Sequence, residues 1–76
     1  MIENEYPTAD IILAACLKME GYQIVRIEKN NNKGTFIFEN VEKQLIEDFD
    51  FGKMRVEPVA FNQAIRSLTT AVRRIN

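Results

Sequence analysis

The longest apolar stretch of the chain lies near its N-terminus, where residues 11–17 read IILAACL. Thr8 before this stretch is a good helix N-cap, Asp10 suits the first helical turn, and Gly21 is typical of the position after a helix C-terminus. The sequence therefore predicts a first helix over residues 9–20. Because apolar residues occur on every side of this helix, it is predicted to be buried, between the other elements of the chain or between two copies.

A β-hairpin is predicted to follow the first helix. Residues 22–29 (YQIVRIEK) are rich in β-branched side chains, and residues 35–39 (TFIFE) are typical of a returning strand. The intervening residues 30–34 (NNNKG) are mainly asparagine and glycine, which tolerate the positive φ angles of a turn. The two strands are therefore expected to pair antiparallel.

The register of the hairpin decides which side chains face the core. If Lys29 lies opposite Gly34, two apolar pairs share one face, which are Ile27 with Phe36 and Val25 with Phe38. This face is predicted to be the core face. Ile37 then lies on the other face and is exposed unless another part of the molecule covers it.

A shorter second helix is predicted between Asn40, a suitable N-cap, and Gly52. Three apolar residues recur within it at four-residue spacing, namely Val41, Leu45 and Phe49. Residues 53–56 (KMRV), which follow, alternate between basic and apolar side chains. They are a candidate for a short third strand.

Glu57 and Pro58 are predicted to begin a long final helix, because proline is favoured at the first helical position. Its apolar residues form a heptad-like seam at spacings of four and three, consisting of Phe61, Ile65, Leu68, Val72 and Ile75. This seam either packs within the chain or also pairs across a dimer axis. The candidate self-association residues are Ile12, Leu13, Leu17, Leu68, Val72 and Ile75.

Together these elements predict an α+β fold, with a helix, a β-hairpin, a short helix, a possible short third strand and a long C-terminal helix packed on the sheet. Residues 1–7 are expected to be a flexible N-terminal lead-in. Residues 8–76 are expected to form a single domain, because 76 residues are too few for two. A core of this size is marginal, so association with a partner chain would help to stabilise it.

The composition excludes several kinds of chemistry. Cys16 is the only cysteine and there is no histidine, so an intrachain disulfide is impossible and a zinc site is not expected. A hydrolytic triad would lack its base, and the three isolated glycines form no phosphate-binding loop. The sequence therefore predicts a protein that is not an enzyme and has no metal or cofactor.

The location is predicted from the same features. No apolar run approaches the ~20 residues that a membrane span needs. The acidic N-terminus MIENE is unlike a secretory signal, and a lone cysteine fits a reducing compartment. We therefore expect a cytoplasmic protein without membrane contact.

Charge is unevenly distributed along the chain. The net charge of −1 argues against a strongly basic nucleic-acid binder, yet residues 51–76 carry five basic residues and one acidic residue. Candidate contacts to a nucleic acid or another anion are Lys53, Arg55, Arg66, Arg73 and Arg74. Lys29 and Lys33 at the hairpin tip are a second candidate group. The alternative is that the arginines are solvated and favour the C-terminal end of a helix.

The order of these motifs resembles a small uncharacterised domain family of phages and bacteria. The shared features are Asp10 followed by two apolar residues and Leu-Ala-Ala, then Gly21-Tyr22, the Phe36-Ile37-Phe38 strand, and the Val56-Glu57-Pro58 helix start. The resemblance covers residues 8–74 and implies a source and a fold but no activity. Asp50-Phe51 departs from the family's polar turn, which leaves the course of residues 50–56 open.

Three functions follow as hypotheses. The first is a small non-enzymatic binding protein of phage or mobile-element origin that associates with itself or with another protein. The second is a nucleic-acid-binding accessory protein that uses the C-terminal arginine face. The third is a phage counter-defence protein that sequesters a host effector or a nucleotide. If a phage encodes the chain, the expected location is the host cytoplasm.

Overall fold

A computed structural model describes residues 4–31 and 33–75. The elements are, in chain order, β1 (Glu5–Thr8), α1 (Ile11–Met19), β2 (Ile24–Asn30), β3 (Lys33–Glu39), α2 (Lys43–Asp50) and α3 (Pro58–Arg73). The sheet has three antiparallel strands, with β3 in the centre between β1 and β2. The long C-terminal helix packs on the sheet, so the predicted α+β fold is confirmed.

Helix α1 is the central element of the core. Residues 13–17 are all buried. Because successive residues of a helix are rotated by about 100°, five consecutive buried residues mean that the middle of α1 is enclosed on every side, whereas Ile12 and Lys18 next to it are exposed. The largest fully buried side chains come from α1, β3 and α3, and they are Leu17, Phe36, Phe38 and Leu68. The predicted burial of the first helix is therefore confirmed within a single chain for residues 13–17 but not for Ile12, which is 50% exposed.

The N-terminal part of the fold differs from the prediction. Glu5–Thr8 forms an edge strand that pairs with β3 along residues 36–39. The prediction of a flexible lead-in is therefore wrong for residues 5–7, and residues 1–3 lie outside the described residues. Residues 53–56 form no strand, so the third strand comes from the N-terminus instead. Pro7 fits an edge position because it has no N–H to donate to a further strand.

The register of the hairpin agrees with the prediction near the turn and departs from it at the beginning of β2. Lys29 lies opposite Gly34, as predicted. A bulge shifts the register further along, so that Ile24 rather than Val25 lies opposite Phe38. The prediction of Val25 on the core face is wrong, because the extra residue of a bulge reverses the side-chain alternation beyond it.

The cap of α1 is Asp10 and not Thr8. The Asp10 carboxylate accepts hydrogen bonds from the backbone N–H of Ile12 at 2.9 Å and of Leu13 at 3.3 Å. Thr8 is the last residue of β1, and its hydroxyl accepts a hydrogen bond from the Asp10 N–H at 3.1 Å. Only two residues therefore separate β1 from α1, and the side chains of Thr8 and Asp10 accept the hydrogen bonds that form this junction.

The predicted cap of the second helix is also corrected. Glu42 precedes α2 and makes no side-chain capping hydrogen bond. Asn40 adopts the left-handed conformation, with φ 57°, and its N–H donates to the carbonyl of Asn4 at 2.8 Å. Asn40 thus ends the β1–β3 pairing, because asparagine tolerates positive φ better than most residues.

Helix α3 begins as predicted. The Glu57 carboxylate accepts hydrogen bonds from the N–H of Val59 at 2.7 Å and of Ala60 at 3.0 Å, and Pro58 is the first helical residue. The apolar seam faces the chain's own core. Leu68 is buried within it, and three neighbours pack against the core, namely Phe61, Ile65 and Val72.

The sheet face opposite the core is covered by side chains of the sheet itself. Ile37 is only 4% exposed on this face. Arg26 on β2 reaches Glu5 on β1, with its two terminal nitrogens 2.8 and 3.0 Å from the carboxylate oxygens. Because β3 lies between these strands and Ile37 is opposite Arg26, the arginine side chain crosses β3 beside Ile37. The ion pair therefore supplies the cover that Ile37 requires.

Candidate functional site

A shallow polar groove runs along the outer side of α3. Its volume is about 520 Å³, and we call it the α3 groove, defined by Gln63, Arg66, Ser67, Thr70, Ala71 and Arg74. Arg66 and Arg74 are eight residues apart, which places them about 12 Å from each other along the helix axis. Ser67 and Thr70 supply hydroxyl groups between them. No carboxylate is present in this lining.

Lys18 brings a third cation to the edge of the α3 groove. Its ammonium group donates a hydrogen bond to the Ser67 hydroxyl oxygen at 3.0 Å, and both side chains are exposed. Since the hydroxyl oxygen is the acceptor, the Ser67 hydroxyl hydrogen stays available for a ligand in the groove. Sequence reasoning missed Lys18 because it lies in α1, 49 positions before Ser67.

Two of the five predicted anion-contact residues line the α3 groove, namely Arg66 and Arg74. Arg73 is exposed in the last turn of α3 but is outside the lining. Lys53 and Arg55 lie in the connection between α2 and α3, also outside the groove. The five candidates therefore do not all line one groove, because Lys53 and Arg55 belong to the connection and not to α3.

The hairpin tip does not assemble a site from its two lysines. Lys29 donates a hydrogen bond to the Ile75 carbonyl at 3.1 Å, so it holds the chain that follows α3. Lys33 lies opposite Asn30, and Lys29 lies opposite Gly34. Because adjacent strand positions point to opposite faces, Lys29 and Lys33 project from different sides of the sheet.

An apolar cleft lies where α1, the end of α2, the connection and the start of α3 meet. Its volume is about 220 Å³, and its lining residues are Ile12, Cys16, Phe49, Gly52, Met54, Val56 and Phe61. Among the described residues, three large apolar side chains are exposed, namely Ile12 at 50%, Phe51 at 73% and Val59 at 62%. Ile12 lines the cleft, and Phe51 directly precedes a residue that lines it. Two of the three exposed apolar side chains thus line the cleft or adjoin its lining in the sequence, whereas Val59 lies outside the lining.

Most of the predicted self-association residues are not available at the surface. Leu13, Leu17 and Leu68 are buried in the chain's own core. Val72 packs against that core, and Ile75 is partly buried. Of the predicted set, Ile12 is the one that is exposed at the apolar cleft. Of the two alternatives for the seam, the structure shows packing within the chain, because these side chains take part in the packing of α1 on α3.

Cys16 forms part of the floor of the apolar cleft and is 4% exposed. Burial raises the pKa of its thiol, and the nearby carboxylates of Asp10 and Glu20 raise that pKa further. A thiol that resists ionisation is a poor nucleophile. Within the described residues, no group of three or more acidic or cysteine side chains could hold a metal ion. In the same part of the chain, no helix has the length and apolar character needed to cross a membrane.

Comparison with known proteins identifies one family. The model of a domain of unknown function, DUF5659, matches residues 3–73. The chain belongs to this family. The match confirms the resemblance to an uncharacterised family, and it begins at residue 3 rather than residue 8, so it includes β1. Neither the curated proteins nor the solved structures give a match to this DUF5659 chain.

Proposed function

We propose that this DUF5659 protein is a non-enzymatic binding module and that its α3 groove binds the phosphate backbone of a nucleic acid. The observation that carries the proposal is the convergence of Lys18, Arg66 and Arg74 on a groove whose lining has two hydroxyl groups and no carboxylate. Within the described residues, both ion pairs are formed by Arg26. The cations of the groove therefore have no acidic partner there.

The shape of the α3 groove favours a polyanion over a small anion. The spacing of Arg66 and Arg74, about 12 Å, corresponds to three or four nucleotide steps of about 3.4 Å along a duplex. Each guanidinium presents a planar fork of donors that matches a phosphate. Stabilisation of a helix C-terminus accounts for a cation at Arg74 but not for Arg66, which lies in the middle of α3.

Binding of this kind would be largely independent of base sequence. Phosphate contacts fix the position of a protein on a nucleic acid, whereas base contacts specify the sequence. The lining of the α3 groove has no aromatic side chain on which a base could stack.

The experiment is a titration of labelled single-stranded and duplex DNA, followed by fluorescence anisotropy at several salt concentrations. We expect the affinity of the natural protein to fall steeply with salt. The double variant Arg66→Gln/Arg74→Gln should lose at least about tenfold in affinity at low salt, and its log–log salt slope should be shallower by about 2.

The matched control is Lys33→Gln/Lys43→Gln, which removes the same charge at exposed positions outside both the α3 groove and the apolar cleft. This control should keep most of the affinity, because general attraction between net charges is the smaller effect. An absence of binding at low salt would overturn the proposal. Equal losses in the two double variants would also overturn it, because binding would then follow net charge and not the groove.

A second proposed activity is protein binding, in the form of self-association, and the apolar cleft favours it. Exposed apolar surface grouped around a concavity is typical of protein interaction sites. The test is the oligomeric state as a function of concentration. We also propose that the chain is of phage or bacterial mobile-element origin and acts in the cytoplasm, in agreement with the order of its sequence motifs. The genes beside its own gene would test this origin.

A further inference from the structure

We infer that a second copy of this chain docks on the apolar cleft, with Phe51 of each copy entering the cleft of the other. The inference deepens the proposed self-association by naming its surface. It does not depend on the α3 groove, because the groove and the cleft have no lining residue in common.

The size of the cleft indicates what can occupy it. A cleft of about 220 Å³ is smaller than the ~300–1,000 Å³ that is typical of small-molecule sites. It suits a single large apolar side chain, which is how an anchor residue is held at a protein interface. The lining is almost entirely apolar, with Cys16 at the floor and Ile12 and Phe61 among the side chains of the walls.

Phe51 has the position that such an anchor requires. It is the C-cap of α2 and is 73% exposed, although aromatic side chains usually bury most of their surface. Gly52, which lines the cleft, follows it with φ 70°, a left-handed conformation that turns the chain after Phe51, and the Lys53 ammonium lies 5.9 Å from the centre of the Phe51 ring. A projecting side chain beside a cavity is self-complementary under a two-fold rotation, since each copy then supplies one knob and one hole.

The charges around the cleft favour a second copy over a strongly charged partner. The connection contributes two exposed cations, Lys53 and Arg55, and the ends of the three helices contribute exposed carboxylates at Asp10, Asp50 and Glu57. Because the residues around the cleft carry both positive and negative charges, a partner with charges of only one sign would be repelled by some of them. In a two-fold dimer the basic connection of one copy can face the acidic helix ends of the other, so the rim complements itself.

The experiment measures the oligomeric state of the natural protein and of Phe51→Ser by sedimentation velocity, from roughly 1 μM to 1 mM. We expect a concentration-dependent dimer for the natural protein and an increase of at least tenfold in the dissociation constant for Phe51→Ser. Phe51→Leu should recover part of the association, because it restores an apolar anchor. Circular dichroism should show that each variant is folded, since Phe51 lies mostly in solvent.

The matched control is Val59→Ser, which also removes an exposed apolar side chain but lies outside the cleft lining. Its dissociation constant should change less than threefold. A natural protein that stays monomeric over the whole range would overturn the inference. A dimer that Phe51→Ser leaves unchanged, or that Val59→Ser weakens as strongly, would also overturn it.

A direct measurement uses a mixture of isotopically labelled and unlabelled protein. Intermolecular nuclear Overhauser effects should join the Phe51 ring of one copy to the methyl groups of Ile12 or Met54 of the other. Intermolecular effects confined to the residues that line the α3 groove would overturn the inference and assign the dimer contact to the groove. DNA binding by Phe51→Ser is measured in parallel, so that failure of this inference is distinct from failure of the nucleic-acid proposal.

Discussion

Gly34 of β3 lies directly against Val72 of α3. A Cβ atom placed there would lie 2.6 Å from Cγ2 and 3.0 Å from Cγ1 of Val72. We expect Gly34→Ala to lower the free energy of unfolding by about 1–3 kcal/mol, because over-packing forces neighbouring side chains out of place. Urea denaturation, monitored by circular dichroism, measures this change.

Val72 provides the control for this explanation. Val72→Ala removes the two methyl groups that meet the added Cβ, so the double variant Gly34→Ala/Val72→Ala should be less destabilised than the sum of the single variants. The expected coupling is between about 0.5 and 3 kcal/mol. Additive effects would contradict a clash between these two residues.

The Cys16 thiol should be unreactive in the folded protein. The thiolate is the reactive form, and burial raises the pKa of this thiol above its ordinary range. At about pH 8 we expect iodoacetamide to modify Cys16 more slowly than a model cysteine peptide, since burial lowers both the thiolate fraction and the access of the reagent to the sulfur. Mass spectrometry measures the rate. Denaturant should restore the peptide rate, and fast modification without denaturant would contradict the burial of Cys16.

Helix caps show which residue details the sequence could predict. Thr8 and Asp10 are both good N-caps, and local propensity does not choose between them. The choice is made by β1, because Thr8 is paired with Phe36 and is therefore already in a strand. Glu57 had no such competitor, and the prediction of the α3 start is confirmed.

At the level of elements, the edge strand β1 is held partly by an ion pair to β2, the strand at the opposite edge of the sheet. Glu5 lies opposite Glu39, a like-charged pairing, and Arg26 supplies the opposite charge from β2. We expect Arg26→Gln to lower the melting temperature, because it leaves Glu5 unpaired and uncovers Ile37. Lys33→Gln is the matched control, since Lys33 is an exposed cation on the same sheet face. Thermal melting by circular dichroism should give a clearly larger decrease for Arg26→Gln; equal decreases would contradict the bridging role.

The same ion pair predicts a pH dependence. The hydrogen bond from Arg26 lowers the pKa of the Glu5 carboxyl group, against a smaller opposing effect of desolvation. The folded state therefore favours the ionised carboxylate. Its contribution is complete above the ordinary pKa of a glutamate and is lost as the pH falls through the lower pKa of the folded state. The difference in melting temperature between the natural protein and Arg26→Gln should narrow from about pH 7 to about pH 3. A constant difference would contradict this account.

The elements that the sequence predicted well are those with long, regular patterns. α1 has an uninterrupted apolar run, and α3 has a seam of regular spacing behind a proline. β1 could not be predicted, because the four residues EYPT include a proline and are too few to establish an alternation. Its place in the sheet depends on pairing with β3, a contact between distant parts of the sequence. The bulge beside Ile24 was hidden for the same reason, since only the paired strand reveals an extra residue.

At the scale of the whole molecule, the two candidate sites differ in how far the sequence could predict them. The helical period places Arg66 on the same side as Arg73, seven residues later, whereas the groove is lined by Arg66 and Arg74, which lie about 80° apart around the helix axis. Lys18 joins them only through the packing of α1 on α3. The apolar cleft takes residues from α1, α2, the connection and α3, and no local pattern brings these together. Phe51 was therefore a departure from a family pattern in the sequence and becomes a candidate anchor only in the fold.

The two proposed sites make a joint prediction, because a dimer formed through the apolar cleft carries two α3 grooves. A DNA molecule long enough to reach both grooves would be bound by avidity, whereas a short one would occupy a single groove. We expect the natural protein and Phe51→Ser to bind a single-stranded oligonucleotide of about 6 nucleotides equally, since that length reaches one groove. With a strand of about 40 nucleotides, the natural protein should bind at least about tenfold more tightly than Phe51→Ser.

Anisotropy titrations with both lengths measure this difference at a protein concentration at which the natural protein is a dimer. Arg66→Gln/Arg74→Gln is the control, and it should weaken binding to both lengths, because it alters each groove and leaves the dimer intact. If Phe51→Ser loses affinity for the short oligonucleotide as well, Phe51 itself contacts DNA and the two sites are not separate. If the ratio of affinities between the natural protein and Phe51→Ser is the same for the short and the long strand, a single strand does not bind both grooves of the dimer at once. Length dependence in the natural protein alone is therefore the result that connects the apolar cleft to nucleic-acid binding.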